Sequence, residues 1–239
     1  MCYGWRRRKK ERLLKFFGKE KKLFITDVDG VLLDLMACFP KNLLDAAIEF
    51  GISTELIKQY FVDVGAGLNK EVASVSATIK MLYPELNDIE IQRFKTIFHQ
   101  KDAQNPYPPI KGSRIMIKWL AKHIKVALCT NKGLPDLKHH LQFAGFKLEW
   151  FSFISSWETG HPKPDPRALT IITDALNIPK EKSLFVGDWF PDWECAKSAG
   201  IPFCAVLSGG IPKHVFMREG IQENHIFERL FNIVEIIKP

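Results

Sequence analysis

The chain has 239 residues, of which 46% are hydrophobic, and a formal net charge of +7. This length suffices for one large domain or for a domain with an insert. No apolar run approaches the ~20 residues that a membrane-spanning helix needs, which argues against a membrane span. The five cysteines are scattered without a CxxC pair, so we predict reduced thiols and a cytoplasmic location.

The positive charge is concentrated at the N-terminus. Residues 1–22 contain ten Lys or Arg and two Glu, whereas the remainder holds 24 basic and 25 acidic residues. We therefore predict a basic arm over residues 1–22, outside the folded domain. The arm could be a solvated leader, which we favour, or it could contact nucleic acid or an anionic membrane surface. Salt-dependent binding that disappears on deletion of the arm would indicate the second interpretation.

The first predicted strand, residues 23–26, ends in two carboxylates, within the stretch FITDVDGVLLD of residues 24–34. Side chains two apart in a strand point the same way, so we expect Asp27 and Asp29 to lie a few Å apart, with Val28 turned away. Two like charges at that distance repel. A cation, a shared proton or both must therefore offset the repulsion.

Roughly seventy residues without a convincing strand follow, and their apolar positions recur at helical spacing. Asn87 is placed as an N-cap there, with Glu90 completing a capping box. We predict a helical insert over residues 35–106, between two parts of a core domain formed by residues 23–34 and 107–239. A crossover needs only about a dozen residues, so an insert of this size should have a function of its own.

Short apolar runs then alternate with helical patterns. The further strands are predicted at 125–129, 151–154, 183–187 and 203–207, and the helices at 113–123, 136–144 and 166–176, with Ser113 as a possible N-cap of the first. Strands separated by helices indicate a parallel sheet covered on both faces, which is a doubly wound α/β fold. On the helix at 136–144, His139 and His140 are expected to be solvated.

Polar residues follow three of these later segments. Thr130 and Asn131 come after the second strand, Lys163 lies between two prolines, and Asp188 and Asp192 follow the strand at 183–187. The carboxyl ends of parallel strands share one edge of the sheet, so we expect all of these residues to meet Asp27 and Asp29 there.

Four segments in this order resemble the motifs of the haloacid dehalogenase (HAD) superfamily: DVDGVL, CTN, KPDP, and GDWFPD followed by ECAKSAG. The resemblance extends from Leu23 to the C-terminus. It implies a sheet whose first strand is central. It also implies the phosphatase branch with a helical cap inserted after the first motif, as in phosphoglycolate phosphatase and β-phosphoglucomutase.

The resemblance also implies catalytic roles. Asp27 would attack phosphorus and form an aspartyl-phosphate, and Asp29 would protonate the leaving alcohol and then accept a proton from water. Thr130 and the backbone around Asn131 would donate hydrogen bonds to phosphoryl oxygens. Lys163 would supply a positive charge to the same group.

The negative charges expected in the site predict a bound metal ion. Each pair of unit negative charges ~4 Å apart costs about 4 kcal/mol at an effective dielectric constant near 20, and Lys163 alone cannot offset two aspartates and a phosphate dianion. A hard divalent cation, Mg²⁺, is therefore expected. By resemblance its ligands are Asp27, the backbone carbonyl of Asp29, and Asp188, with Asp192 as an indirect or water-mediated partner.

The sequence thus predicts a Mg²⁺-dependent phosphatase that acts on a small phosphorylated metabolite. Asp29 argues against the dehalogenase branch, which lacks this second aspartate. A phosphomutase of the β-phosphoglucomutase type stays open, because it would use the same four motifs. So does a protein that binds nucleic acid or membranes through its basic arm.

Overall fold

The structure is a computed structural model and describes residues 14–68 and 74–238. The strands are β1 (Leu14–Phe16), β2 (Lys19–Lys21), β3 (Leu23–Thr26), β4 (Lys125–Cys129), β5 (Phe153–Ser155), β6 (Ser183–Gly187), β7 (Phe203–Val206), β8 (Ile226–Phe227) and β9 (Ile237–Lys238). The α-helices are α1 (Leu35–Phe50), α2 (Glu55–Gly65), α3 (Val75–Leu82), α4 (Asp88–Gln104), α5 (Ser113–Leu120), α6 (Leu134–Phe143), α7 (Arg167–Leu176), α8 (Phe190–Ala199) and α9 (Lys213–Arg218). In the described ranges, no helix is long and apolar enough to cross a membrane.

A parallel sheet of six strands forms the centre of the molecule, in the order β5-β4-β3-β6-β7-β8. The chain winds from β3 through β4 to β5 in one direction, and from β6 through β7 to β8 in the other. The predicted doubly wound α/β fold and the central position of the first strand are therefore confirmed. A crevice forms at the carboxyl edge of such a sheet, where the winding direction reverses.

Side chains of the central strands alternate between two apolar layers. Phe24 and Val126 pack into one layer, whereas Leu23, Ile25 and Phe185 pack into the other. Because helices cover both faces, the strands are apolar at nearly every position rather than at every second one. This is why the sequence shows short continuous apolar runs.

Several predicted boundaries differ from the structure by a few residues, and two of the differences have a clear physical cause. The strand predicted at 151–154 begins at Phe153, because its pairing with β4 starts opposite Ala127. Ser113 is not the N-cap of α5; Gly112 is, and the Ser113 hydroxyl instead donates a hydrogen bond of 2.9 Å to the carbonyl of Leu32. Tertiary contacts therefore determine both boundaries.

The predicted arm of residues 1–22 is too long, and the structure corrects its boundary. Residues 14–21 form a hairpin in which β1 pairs antiparallel with β2 and with the C-terminal β9. Leu14 and Phe16 are buried in the core. Lys21 is also buried, and its Nζ donates a hydrogen bond of 2.8 Å to the carbonyl of Glu181. Only residues 1–13 of the predicted arm remain, and they lie outside the described residues.

Truncating Phe16 tests this correction. Phe16→Ala should lower the free energy of unfolding by about 3–5 kcal/mol, because it removes a fully buried aromatic ring from the core. Lys15→Ala on the same strand is the matched control, since the Lys15 side chain is exposed. Urea unfolding monitored by circular dichroism measures both. Equal, small losses would mean that the hairpin is not part of the stable core.

The four helices α1–α4 lie within the predicted insert, and they share an apolar cluster that includes Leu43, Phe94 and Phe98. The predicted capping box of α4 is confirmed: the Asn87 side chain accepts from backbone N–H groups, and the Glu90 side chain accepts from the Asn87 N–H. Helix α2 also reaches the sheet, because its Tyr60 joins the apolar layer beside β3.

Candidate active site

A tight turn after β3 places the first two aspartates at the carboxyl edge of the sheet. The Asp27 N–H continues the strand pairing and donates to the Val186 carbonyl over 2.9 Å. Gly30 follows with a φ of 74°. A Cβ added at Gly30 would lie 2.0 Å from Asp188 Oδ2, so only glycine lets this turn approach the end of β6 so closely.

Lys163 lies between two buried carboxylates. Its Nζ is 2.7 Å from Asp27 Oδ1 and 2.6 Å from Asp192 Oδ1, and all three side chains are buried. Burial alone would lower the pKa of Lys163, but the Asp192 and Asp27 carboxylates outweigh it and hold this pKa well above its ordinary range. Lys163 is therefore a permanent positive charge beside Asp27.

Asn131 holds the segment that carries Lys163. Its Nδ2 donates to the Lys163 carbonyl over 2.9 Å, and its Oδ1 accepts from the Lys163 N–H over 2.7 Å. These two hydrogen bonds engage both the nitrogen and the oxygen of the Asn131 amide, so the Asn131 side chain positions Lys163. The neighbouring Thr130 hydroxyl accepts from the Lys132 N–H over 3.2 Å, and its own proton can still be donated.

Asp192 supports the turn that follows β6. Its Oδ2 accepts from the N–H groups of Asp188 and Trp189, each over 3.1 Å, while its Oδ1 faces Lys163. Burial raises the pKa of Asp192 to about 6, and Lys163 opposes that rise. Because both oxygens already have partners, the arrangement favours an indirect contribution of Asp192 to any metal site.

One carboxylate oxygen of Asp188 has no hydrogen-bond partner among the described residues. This oxygen, Oδ1, is buried. Burial and the neighbouring Asp27 raise the pKa of Asp188 well above its usual range. Oxygens of Asp27, Asp188 and Asp192 lie within 4.8 Å of one another. Lys163 forms ion pairs with two of these aspartates, Asp27 and Asp192. A hard divalent cation fits this excess of buried oxygen ligands.

Asp29 lies at the edge of the site, with its side chain 23% exposed. Its Oδ2 is 3.3 Å from Lys132 Nζ, whereas its Oδ1 is buried without a hydrogen-bond partner among the described residues. Burial raises the pKa of Asp29, and the positive charge of Lys132 opposes that rise. A raised carboxyl pKa is what a general acid needs near neutral pH.

A second polar cluster lies beside Asp29, and the sequence analysis assigned it no role; it is formed by Lys132, Asp102, Tyr107 and His140. Lys132 directly follows Thr130 and Asn131, so its position next to the second motif was an available signal. Asp102 lies at the end of α4 in a polar stretch with no distinguishing pattern. Nothing local marks it as a site residue.

The prediction that His140 is solvated was wrong. Its side chain is 1% exposed, and its Nε2 lies 3.0 Å from Asp102 Oδ2. His139, the neighbouring residue, is exposed as predicted. Helix α6 turns His140 towards α4, and that contact depends on how the two helices pack together.

The sequence of this chain is similar to a known protein family and to curated proteins. The family of haloacid dehalogenase-like hydrolases matches residues 24–206, which contain every predicted site residue. A curated relative, a phosphoglycolate phosphatase of Pseudomonas syringae pv. tomato, is 30% identical over 205 residues, which cover 82% of this chain and 72% of the relative.

Solved structures show the same fold. A haloacid dehalogenase-like hydrolase of Bacteroides fragilis superposes with a TM-score of 0.74 at 19% identity, covering 89% of this chain and 99% of the other. The hydrolase YfnB of Bacillus subtilis, whose structure was determined bound to magnesium, superposes with a TM-score of 0.64 at 18% identity, covering 79% and 90%. At these identities, the likeness concerns the fold.

Proposed function

Because the chain belongs to the haloacid dehalogenase-like hydrolase family and is an enzyme of its phosphatase branch, we propose that it hydrolyses a small phosphate monoester with Mg²⁺, through an aspartyl-phosphate on Asp27. The observation that carries this proposal is the buried group around Lys163. One ammonium contacts Asp27 and Asp192 at 2.7 and 2.6 Å, beside an Asp188 oxygen with no hydrogen-bond partner among the described residues.

The chain's own residues account for both steps. A carboxylate oxygen of Asp27 attacks phosphorus, the bond from phosphorus to the ester oxygen breaks, and Asp29 gives its proton to that oxygen. Water then attacks the phosphoryl group and gives a proton back to Asp29, and the bond between phosphorus and Asp27 breaks. Lys163 offsets the negative charge of the phosphoryl oxygens, and the Thr130 hydroxyl orients them by donating a hydrogen bond.

Asp27, Asp188 and the Asp29 carbonyl would hold the magnesium ion, with Asp192 contributing indirectly. When bound, the ion offsets the negative charge shared by the phosphoryl group and the carboxylates. The fit rests on the unpartnered Asp188 oxygen and on the short separation of the carboxylates.

Stability with and without magnesium tests this ligand set. Without metal, Asp188→Asn should raise the melting temperature, because a neutral amide replaces a carboxyl group whose ionisation the buried site disfavours. With Mg²⁺ at a hundred times its Kd, the wild type should gain about 2.7 kcal/mol and Asp188→Asn much less. Asp174→Asn on the exposed face of α7 is the control and should respond like the wild type. An unchanged Mg²⁺ response in Asp188→Asn would exclude Asp188 as a ligand.

The first substrate to test is 2-phosphoglycolate, because the curated relative is named a phosphoglycolate phosphatase. A panel of phosphorylated metabolites with Mg²⁺, scored by release of inorganic phosphate, tests the proposed function. Asp27→Asn measures the background. Conversion of a substrate without phosphate release would indicate a phosphomutase, and no conversion of any ester would contradict the proposal.

We also propose that residues 35–106 act as a cap over the site, and that the protein works in the cytoplasm. The support for a cap is that α1 begins just after Asp34, close to Asp29, and that α1–α4 have their own apolar cluster. The support for the location is that Cys38, Cys129, Cys195 and Cys204 are free and buried.

A further inference from the structure

A network of charged side chains links Asp29 to helix α4. Lys132 Nζ lies 3.3 Å from Asp29 Oδ2 on one side and 4.0 Å from Asp102 Oδ2 on the other. The Lys132 side chain is 10% exposed and its ammonium lies 4.7 Å from the centre of the Tyr107 ring. With little contact with water, Lys132 depends on these two carboxylates and this ring for its position.

Asp102 is itself held firmly. Its Oδ1 accepts from Asn42 Nδ2 over 3.1 Å, and its Oδ2 lies 3.0 Å from His140 Nε2. Burial would raise the pKa of Asp102, but the hydrogen bond from His140 and the charge of Lys132 keep this pKa below its ordinary value. Asp102 is therefore a stable negative charge, although its side chain is only 5% exposed.

The residues of this network come from both the helical segment and the core around the sheet. Asp102 and Asn42 lie on α4 and α1, within the helical segment, whereas His140 and Lys132 lie on α6 and the loop after β4. The pair of Asp102 and His140 thus forms only when α4 is packed against α6. Any effect of Asp102 on Lys132 depends on the same packing.

The two oxygens of Asp29 are not equivalent in this arrangement. Lys132 faces Oδ2, whereas Oδ1 has no hydrogen-bond partner in the part of the chain that the structure describes. A cation on one oxygen restricts rotation of the carboxyl group. It leaves the other oxygen available for a proton transfer.

We propose that Asp102 is a positioning residue: it holds Lys132 against Oδ2 of Asp29, so that Oδ1 faces the reaction, and it makes this orientation depend on the docking of α4. The inference rests on the proposed function, because it concerns the proton that Asp29 transfers. Asp102 does not touch the reacting atoms. It acts through Lys132.

Leaving groups of different basicity separate this effect from a general loss of structure. The quantity to compare is kcat/KM, because it covers the steps up to departure of the alcohol. For an alkyl ester such as 2-phosphoglycolate, or the best alkyl ester of the panel, Asp102→Asn and Lys132→Gln should each lower kcat/KM by up to about 10²-fold. For 4-nitrophenyl phosphate, whose leaving group needs little protonation, both should stay within about threefold of the wild type.

Two further variants sharpen the test. The double variant D102N/K132Q should be no worse than K132Q alone, because both changes interrupt the same contact. Asp136→Asn is the matched control: Asp136 on α6 pairs with His99 on α4 at 3.2 Å, across the same helix interface. It should show no dependence on the leaving group.

Each outcome decides the matter. Equal losses for both esters, no loss, additive losses in the double variant, or the same selective loss in Asp136→Asn would overturn the inference while leaving the proposed function intact. If the wild type releases phosphate from no ester, the proposed function and this inference fail together. If Asp102→Asn does not fold, Lys132→Gln on the loop still provides the comparison. Retained turnover of 4-nitrophenyl phosphate by Lys132→Gln would show that the active site of this variant is assembled.

Discussion

Asp27→Asn should abolish turnover, with a loss on the order of 10⁴-fold or more. An amide oxygen is a far poorer nucleophile than a carboxylate, and the change also removes one expected metal ligand and one of the two carboxylates that contact Lys163. No covalent phosphoenzyme should form. Rapid quenching followed by intact-mass measurement should therefore find one added phosphoryl group on the wild type and none on Asp27→Asn.

The site of that group is as informative as its presence. Peptide mapping of the quenched wild type should place the phosphoryl group on Asp27. A phosphoryl group on Asp27→Asn, or on another residue of the wild type, would contradict the mechanism. Circular dichroism should show that Asp27→Asn remains folded, because the substitution keeps the size of the side chain.

Asp29→Asn should lower turnover of an alkyl ester by about 10²–10⁴-fold, because it removes proton transfer but keeps the backbone carbonyl. The defect should differ in kind from that of Asp27→Asn. With 4-nitrophenyl phosphate, Asp29→Asn should still become phosphorylated, but it should release phosphate slowly, since water is no longer activated. The phosphoenzyme should accumulate, and the same quench measurement detects it.

Asp34→Asn is the control for this substitution. Asp34 is five residues from Asp29, and its Oδ1 caps α1 by accepting from the Ala37 N–H over 3.2 Å. Asparagine is an equally good N-cap, so stability and turnover should hardly change. Rapid release of phosphate by Asp29→Asn would show that another group acts as the base.

The positions of the candidate site residues at the strand ends could be predicted because their signals are local. Apolar runs at β3 and β6 end in Asp27 and Asp188, and the parallel order of the strands brings these ends together without any knowledge of side-chain packing. The capping box at Asn87 was equally accessible, because all of its partners lie within one helical turn.

Three other residues, Leu14, Phe16 and His140, could not be placed from the sequence because their partners are distant along the chain. Leu14 and Phe16 look like part of a basic arm until their strand, β1, pairs with β9 from the other end of the chain. His140 lies on an amphipathic helix. Its burial follows from the docking of α4, which no pattern within α6 encodes.

By itself, the sequence determined the doubly wound sheet and the helical segment after β3, and it predicted that the polar residues at the strand ends meet at one edge of that sheet. Strand and helix periodicity, and the order of strands along the chain, suffice for these. Only the tertiary structure decided which charges pair. The contact from Asp29 through Lys132 to Asp102 joins three segments that meet only when α4 packs on the core. Ion pairs depend on distances of a few Å, and the burial that strengthens them exists only in the assembled fold.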